Sequence, residues 1–418
     1  MSSSPASMSK SKMRNKCSKP SLAANDCPSL IIRESLAEFC SQTVNKILAL
    51  HLSNFDNRSQ RTNCLWAKST TTVPRVFRAA ECWDEENLPS TTKLVLSTLN
   101  HIEASKEKVD RGYDVYRRSE QSSTVDPSLA IAQLVEPSEA GPVVLIGLDI
   151  LPQGIFHIPV SLSEFVEGVE EANQQLLLTP KYAFTDSHVD TSDSMSSPMG
   201  QCRKLWMVFP PTTKNLKLMK QADGQRAKLD RIGKNLEGGL VFTTNSEEAI
   251  SLPAGCIHSV ITLQGGFLIA TDFTTPLSSK PYTAMINAGL DDSGAAETFR
   301  LEVFKRFLSS VDYGLACKHE VLAITSWIGT LENIHPYSND NPSWKKAAVK
   351  VWDEFFKKKE TKELVCVCGH QGKAKFGDHF KRAHMWQAGK VQKRRLGVEL
   401  DTVDDEKQRN TEVKATQK

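Results

Sequence analysis

The sequence predicts an α+β protein in which an all-β sandwich or barrel is flanked by helices. Between residues 142 and 274, short apolar runs alternate with turns and are rich in β-branched and aromatic side chains, as in the strands of sandwiches and barrels. On both sides of this region, apolar residues recur at helical spacing. A Cys/His cluster near the carboxyl end predicts a small zinc-finger-like unit.

The amino-terminal part is predicted to be a tail followed by helices. Residues 1–28 are rich in serine and basic side chains and show no apolar periodicity, so a disordered basic tail is expected. Residues 29–141 are expected to form a helical region. It contains helices over 29–52 and 90–110, with Ser90 as the N-cap of the second.

The β region is expected to form the core of the protein over residues 142–290. Its predicted strands are the runs VVLIGLDI, GIFHIPV, KLWMVFP, GGLVFT, AISLP, HSVITL and GGFLIATDF. Strands of this length, separated by turn residues at modest spacing, favour a sandwich or a barrel over a βαβ arrangement.

The carboxyl-terminal part is predicted to return to helices. Residues 291–356 are expected to form a second helical region, and its last helix has Ser343 as the expected N-cap. A charged linker over 357–363 leads to the zinc-finger-like unit at 364–386. The polar residues 396–418 are expected to be disordered.

The composition excludes several classes of protein. Lys and Arg number 52, Asp and Glu number 49, and the net charge of +3 excludes a uniformly basic, histone-like or ribosomal chain. Ten cysteines in 418 residues are too few for a disulfide scaffold, so reduced thiols in an intracellular protein are expected. Neither a membrane span nor a secretory signal is expected from the apolar runs.

The sharpest chemical pattern is H-x-D at His188 and Asp190. Residues i and i+2 of a strand point to the same face, so the pair would present an imidazole and a carboxylate side by side. Seventy residues after His188, a P-A-G turn precedes His258. Two histidines and one carboxylate form the facial triad of non-haem Fe(II) oxygenases. H-x-D by itself also fits a histidine in a surface turn.

The motifs around this pair point to a known family. H-x-D is followed by K-x-W-x-x-x-P-P from Lys204, by P-A-G-x-x-H ending at His258, and by G-G-x-x-x-x-x-D-F over 265–273. In this order, the stretch 182–273 resembles the JmjC domain of 2-oxoglutarate-dependent dioxygenases. With its flanking strands, the resemblance covers roughly a third of the chain. It implies a double-stranded β-helix, or cupin-like jelly roll, as the core.

The resemblance also implies roles for residues beside the triad. Lys204 would pair with the distal carboxylate of 2-oxoglutarate, a task that suits the point charge of a lysine, and Thr185 would donate a hydroxyl to the same carboxylate. Asp272 stands near the metal where the family often has asparagine, a departure that alters the surroundings of the ligands. From the residues alone, Lys204 also fits a strand-end surface lysine, and Thr185 fits a β-branched strand residue.

The implied activity is that of an Fe(II)- and 2-oxoglutarate-dependent dioxygenase, with His188, Asp190 and His258 as iron ligands and catalytic centre. The co-substrate is decarboxylated to succinate while a substrate carbon is oxidised. The expected substrate is a protein side chain, and a histone lysine demethylase is the favoured interpretation. Two alternatives stay open: a JmjC hydroxylase without a chromatin role, and a catalytically silent JmjC scaffold that binds chromatin or a protein partner.

The carboxyl-terminal unit resembles a divergent C2H2 zinc finger. Cys366, Cys368, His379 and His384 follow the spacing C-x-C, ten residues, H-x4-H, which is shorter than in ordinary C2H2 fingers. Four such ligands predict structural zinc, with both histidines on one helix face. His370 is an alternate ligand, and a redox-inert cysteine pair beside a charged helix is the rival interpretation.

Local basic charge accompanies this unit. Residues 373–395 contain eight Lys and Arg but one acid, which predicts a nucleic-acid or chromatin contact. Lys393, Arg394 and Arg395 form a candidate nuclear localisation patch, so a nuclear protein is expected. A solvated helix face is the alternative interpretation of the same charges.

Overall fold

The computed structural model describes residues 27–70, 72–83, 88–108, 110–163, 174–290, 297–340, 342–358, 364–370, 372 and 375–385. The tails predicted at 1–28 and 396–418 lie outside this range, apart from residues 27 and 28. Most of the basic segment over 373–395 lies outside it as well.

The amino-terminal region combines short helices with short strands. Its elements are α1 (Pro28–Ser35), α2 (Ser41–Leu48), β1 (Leu52–Asn54), α3 (Gln60–Ser69), β2 (Arg75–Arg78), α4 (Thr91–Ser105), β3 (Asp114–Arg117), β4 (Glu120–Gln121) and α5 (Ser128–Val135).

Two expectations for this region meet different outcomes. The single helix expected over 29–52 is split into α1 and α2, because a turn at 36–40 lets both helices place apolar residues on the sheet below. The N-cap of α4 is Ser90 as predicted, and its hydroxyl accepts a hydrogen bond from the amide of Lys93 at 3.3 Å.

The β region forms two sheets. Its strands are β5 (Val143–Leu148), β6 (Gln174–Thr179), β7 (Phe184–Val189), β8 (Asp193–Met199), β9 (Arg203–Phe209), β10 (Gly239–Thr244), β11 (Glu248–Leu252), β12 (Ile257–Gln264) and β13 (Gly266–Phe273), with α6 (Val160–Ser163) after β5. One sheet has the order β1-β10-β9-β12-β7, and the other has the order β2-β11-β8-β13-β6-β5-β3-β4. The strands β6 to β13 divide equally between the sheets and pair antiparallel, an arrangement consistent with a jelly roll.

Side chains alternate between the inside and the outside of this barrel. Along β9, Trp206 and Val208 belong to the inner cluster, whereas Met207 and Phe209 face the helices outside. The outer layer over the first sheet contains α1, α2, α7 (Thr213–Gln221) and α8 (Lys228–Ile232). The second sheet is covered by α4 and α5. The interior of the barrel is therefore the place where inward side chains of β7, β9 and β12 meet.

Strand assignments in the β region differ from the predicted runs, and β6 is one strand that those runs did not include. The run GIFHIPV makes one isolated bridge, Phe156 to Trp83, and buries its aromatic residue without entering a sheet. Conversely, β8 has the polar sequence DSMSSPM, yet all seven residues are buried. An apolar-run criterion misses β8 because its inward positions are small and polar.

The carboxyl-terminal region is a layer of helices packed on the barrel. Its elements are α9 (Ser279–Ala288), α10 (Glu297–Ala316), α11 (Glu320–Asp340), α12 (Pro342–Lys358) and α13 (Phe376–Ala383). Their aromatic core also contains Ala254, from the P-A-G turn. The helices therefore support the end of the barrel where the predicted triad lies. Among the described residues, no helix is both long enough and apolar enough to cross a membrane.

Candidate metal centre

The three residues of the predicted triad lie together at one end of the barrel. His188 is near the end of β7, Asp190 follows that strand directly, and His258 of β12 is opposite His188 in the register. Nε2 of His188 is 3.7 Å from Oδ1 of Asp190, and Nε2 of His258 is 3.5 Å from Oδ2. One ligand atom of each residue lies within 4.8 Å of the other two. Neighbouring strands thus unite residues that are seventy positions apart in sequence.

Backbone carbonyl groups orient both imidazole rings. Nδ1 of His188 lies 2.9 Å from the carbonyl oxygen of Asp186, and Nδ1 of His258 lies 3.1 Å from that of Cys256. When Nδ1–H donates to these carbonyls, Nε2 carries the lone pair that a metal requires. Burial lowers the pKa of His258 to about 4, with the nearby His188 as the next cause. His258 is therefore neutral at physiological pH, as a metal ligand must be.

One side of the triad is open to solvent. The side chains of His188 and Asp190 are 37% and 38% exposed, whereas that of His258 is 6% exposed. Two imidazole nitrogens and one carboxylate, gathered on one side of a point that solvent reaches, fit the donor set of an Fe(II) facial triad. Such a site keeps positions free for a co-substrate and for O2.

A β-bulge places His188. In the pairing of β7 with β12, His188 is opposite His258 but Thr185 is opposite Val260, so three residues of β7 span two of β12. Both Thr185 and His188 consequently face the barrel interior. Asp186 lies in this bulge, and its carboxylate accepts hydrogen bonds from the amides of residues 228 and 229 at 2.7 and 2.9 Å. This carboxylate caps α8, whose own N-cap residue is an alanine without a capping side chain.

The P-A-G turn that presents His258 is fixed by a buried carboxylate. Oδ1 of Asp193 accepts a hydrogen bond from the amide of Ala254 at 2.9 Å, and Oδ2 accepts one from the hydroxyl of Ser278. Gly255 has φ +74°, a conformation that favours glycine, and its amide donates to the carbonyl of Asp190 at 3.2 Å. Burial raises the pKa of Asp193 to about 6 against the effect of these hydrogen bonds.

Lys204 lies inside the barrel and not at its surface. It is 2% exposed, and its Nζ donates to the hydroxyls of Thr179 at 2.5 Å and Thr262 at 2.8 Å. Burial lowers its pKa. Thr185, the other residue expected to bind a carboxylate, faces the same interior and is exposed at the open end.

Asp272 lies beside the triad and is linked to the helical layer. Its pKa is raised to about 6, first by burial and then by the charge of Asp190, while Arg306 and a hydrogen bond from Ser192 act in the opposite direction. Nη2 of Arg306, on α10, is 4.0 Å from Oδ2 of Asp272 and 3.0 Å from Glu302. An aspartate in this place therefore adds negative charge next to the ligand carboxylate.

Sequence reasoning did not identify several residues that position the site. They are the threonines beside Lys204, the buried carboxylate behind the P-A-G turn, the carboxylate that caps α8 and the arginine of α10: Thr179, Thr262, Asp193, Asp186 and Arg306. Asp186 and Asp193 stand close to H-x-D in the sequence, which is the one available signal. The others reach the site through strand register or helix packing.

The Cys/His unit forms a second group of candidate ligands. One ligand atom from each of Cys366, Cys368, His379 and His384 lies within 4.8 Å of the other three. His379 is in α13 and His384 is its C-cap residue, so the helix ends just before the second histidine. No strand occurs in the described part of this unit, which therefore lacks the β-hairpin of an ordinary finger. His370 does not join the group.

The described part of the basic segment contacts its own protein. Nζ of Lys381 is 2.8 Å from Asp353 of α12 and lies 5.4 Å from the centre of the Phe356 ring. Lys375 and Arg382 are exposed. The remaining basic residues, including the candidate localisation patch, lie outside the described residues, so nucleic-acid contact stays a prediction.

Two curated proteins are similar to a part of this chain. No family model matches the chain. The "JmjC domain-containing histone demethylation protein 1" of Kluyveromyces lactis is 27% identical over 107 residues, which are 25% of this chain and 22% of that protein. The protein of the same name from Candida glabrata is 26% identical over 101 residues, 24% of this chain and 25% of that protein. The alignments span about a quarter of these curated relatives. They support the presence of a JmjC domain in this chain.

Proposed function

We propose that this protein is an Fe(II)- and 2-oxoglutarate-dependent oxygenase that acts on a protein side chain, with methylated histone lysine as the favoured substrate in the nucleus. The observation that carries the proposal is the convergence of His188, Asp190 and His258 at the open end of a jelly-roll barrel. The same barrel encloses Lys204 on its inner face.

The triad residues would hold the iron on one side of the open end. Bound Fe(II) supplies oxidative chemistry that amino-acid side chains lack, and the protein supplies positioning and a shaped cavity. The carbonyl groups that accept from Nδ1 of both histidines keep the Nε2 lone pairs directed at the same point. Asp193 holds the turn that carries His258, so the spacing of the ligands does not depend on side-chain flexibility alone.

Lys204 would bind the distal carboxylate of 2-oxoglutarate. Its ammonium group is buried and has two hydroxyl partners, which fix its direction and leave the charge without a carboxylate partner among the described residues. A carboxylate that enters the barrel would supply the missing counter-charge in an environment of low dielectric. Thr185 lies on the same inner face and would add a hydroxyl donor at the open end.

The substrate class follows from the relatives and not from the geometry. Both matched proteins are named for histone demethylation. Oxidation of an N-methyl carbon would release the methyl group, and oxidation of any other carbon would leave a hydroxylated residue.

Turnover of 2-oxoglutarate to succinate with added Fe(II) tests the proposal. We expect His188→Ala to abolish turnover, because loss of one of three ligands removes the metal. His157→Ala is a matched control, since His157 is exposed and does not belong to the group of ligand atoms at the triad. Folded, iron-loaded protein without turnover, in the presence of a panel of peptides, would exclude the enzyme and favour a silent scaffold.

The mass of the product peptides separates the two oxidative outcomes. Loss of methyl mass from methylated histone peptides is the expected result. Gain of one oxygen atom by an unmethylated peptide would instead identify a hydroxylase without a demethylation role.

A further inference from the structure

The Cys/His unit after α12 holds four ligand-type side chains that are separate from the barrel site. Cys366 and Cys368 lie at a turn, where the amide of Gly369 donates to the carbonyl of Cys366 at 3.0 Å. His379 lies in α13 and His384 at its end. The Sγ of Cys368 is 3.2 Å from Nε2 of His379, and this nitrogen is 3.2 Å from Nε2 of His384.

The close approach of these lone-pair donors favours a bound cation between them. Two imidazole Nε2 atoms at 3.2 Å, with a thiol sulfur equally close to one of them, bring three lone-pair donors to one point. In a tetrahedral zinc site, ligand distances of 2.0–2.3 Å place the ligands about 3.3–3.8 Å apart. Zinc accepts both sulfur and imidazole nitrogen, and this mixture is typical of its structural sites.

His370, the alternate ligand predicted from the sequence, has a different role. Its ring stacks on the ring of His379, with centres 3.9 Å apart and planes inclined by 4°. A parallel ring cannot direct a nitrogen at the same point as its neighbour. His370 is therefore available as a control residue, because it contacts the cluster without belonging to it.

The unit is built into the helical layer and is not an independent module. Phe380 packs on Trp352 of α12 with ring centres 4.2 Å apart, and Nε1 of Trp327 donates to the carbonyl of His384 at 3.0 Å. Cys366 and Phe376 belong to the same buried cluster as these tryptophans. The apolar face of α13 thus packs against α11 and α12 in place of a β-hairpin.

We infer that Cys366, Cys368, His379 and His384 hold one structural zinc ion that fixes this unit against α11 and α12. Four protein ligands leave no open position, so the ion has no catalytic role. The short α13 has only eight residues, too few for a stable helix by itself. Zinc joins this helix to the cysteine turn, and the joined unit covers the tryptophans of the helical layer.

Metal analysis of the full-length chain tests the inference. The parent for the experiment is His258→Ala, which prevents zinc from occupying the barrel site. We expect one zinc per chain in this parent and at least a tenfold loss in Cys368→Ser, measured by elemental analysis after removal of free metal. Two controls, His370→Ala and Cys317→Ser, are expected to retain the ion.

Hydrogen exchange tests the stabilising role separately. In Cys368→Ser, we expect at least tenfold faster exchange of the backbone amides of α12 and α13, with β9 and β12 unchanged. Equal zinc content in Cys368→Ser and its parent would overturn the ligand assignment. Zinc loss without faster exchange in α12 and α13 would overturn the stabilising role.

A second measurement covers the case in which the variant does not fold. Modification of the cysteines in the folded parent protein should release one zinc per chain to a colorimetric chelator. Release of no zinc under these conditions would contradict the site. None of its ligands lies on the barrel, so failure of the oxygenase proposal would leave this outcome unaffected.

Discussion

Lys204 affects both the stability of the fold and the proposed binding of 2-oxoglutarate. Its charge is buried in the barrel, which costs free energy of folding, and the hydroxyls of Thr179 and Thr262 offset only part of that cost. A buried lysine of this kind is expected where a bound ligand supplies the opposite charge.

Lys204→Met should eliminate binding of 2-oxoglutarate while the fold is retained. Methionine fills a similar volume without the charge, so we expect the free energy of unfolding to change by less than about 2 kcal/mol. Calorimetric titration with 2-oxoglutarate and chemical denaturation measure the two effects. Lys217→Met is the control, because Lys217 is exposed on α7; equal binding by both variants would contradict the role of Lys204.

The lowered pKa of Lys204 predicts a pH dependence of 2-oxoglutarate binding. Only the protonated amine pairs with the carboxylate, and burial favours loss of this proton in the free protein. Affinity should therefore decrease as pH rises from neutral to alkaline, with uptake of a proton on binding. Titrations in buffers of different ionisation enthalpy measure this uptake; affinity independent of pH over this range would refute it.

The raised pKa of Asp193 predicts a pH dependence of stability, whereas the lowered pKa of Lys204 affects binding. Its pKa is about 6 in the folded protein, against an ordinary value of 3.8. The folded state therefore binds more protons than the unfolded state between these values, and stability decreases as pH rises through this window. The loss amounts to roughly 3 kcal/mol.

Comparison with Asp193→Asn isolates this effect. Asparagine keeps an oxygen for the amide of Ala254 but does not titrate, so its stability should stay level where that of the wild type decreases. Denaturant unfolding at a series of pH values measures the difference. Parallel stability curves for the two proteins would show that Asp193 is not the group responsible.

At the scale of elements, one carboxylate connects a strand bulge to a helix. Asp186 is in β7, yet it caps α8 by accepting from the amides of residues 228 and 229. Asp186→Ala should lower the free energy of unfolding by about 2 kcal/mol. It should also weaken Fe(II) binding, because the carboxylate anchors the backbone whose carbonyl at residue 186 orients His188.

The exposed Asp230 provides a matched control on the same helix. It pairs with Lys46 at 2.6 Å, with both side chains more than 40% exposed, so Asp230→Ala should change stability by less than about 1 kcal/mol. Denaturant unfolding and Fe(II) titration measure both variants. Equal effects would mean that Asp186 acts as an ordinary surface charge.

Helices and strands could be predicted from the sequence where their own residues show a clear apolar pattern. β9 contains apolar and aromatic residues, β12 is rich in β-branched residues, and both strands occur where the runs were found. β8 was missed because two of its three inward positions are serines, and the split between α1 and α2 was missed because both segments keep helical spacing. In each case the deciding interaction is tertiary packing.

For the whole molecule, the order of the sequence motifs was a better guide to the structure than the secondary-structure propensity of single segments. The spacing from H-x-D to P-A-G-x-x-H anticipated the residues that meet at the barrel end, because strand order in a jelly roll brings β7 and β12 together. The burial of Lys204 and the attachment of α10 to Asp272 were not accessible, since both depend on contacts between distant segments. The same is true of the carboxyl-terminal unit, whose place against α11 and α12 leaves no trace in its spacing.

The bulge in β7 bears on which mutations this strand can accept. Thr185 and His188 are an odd number of positions apart, yet they face the same side, so the strand contains two alternations joined at the bulge. Removal of Asp186 would leave Thr185 and His188 two positions apart, so a regular alternation would still direct both side chains to the interior. It would also remove the carboxylate that caps α8. In this strand, therefore, the extra residue serves the neighbouring helix and not the direction of the two inward side chains.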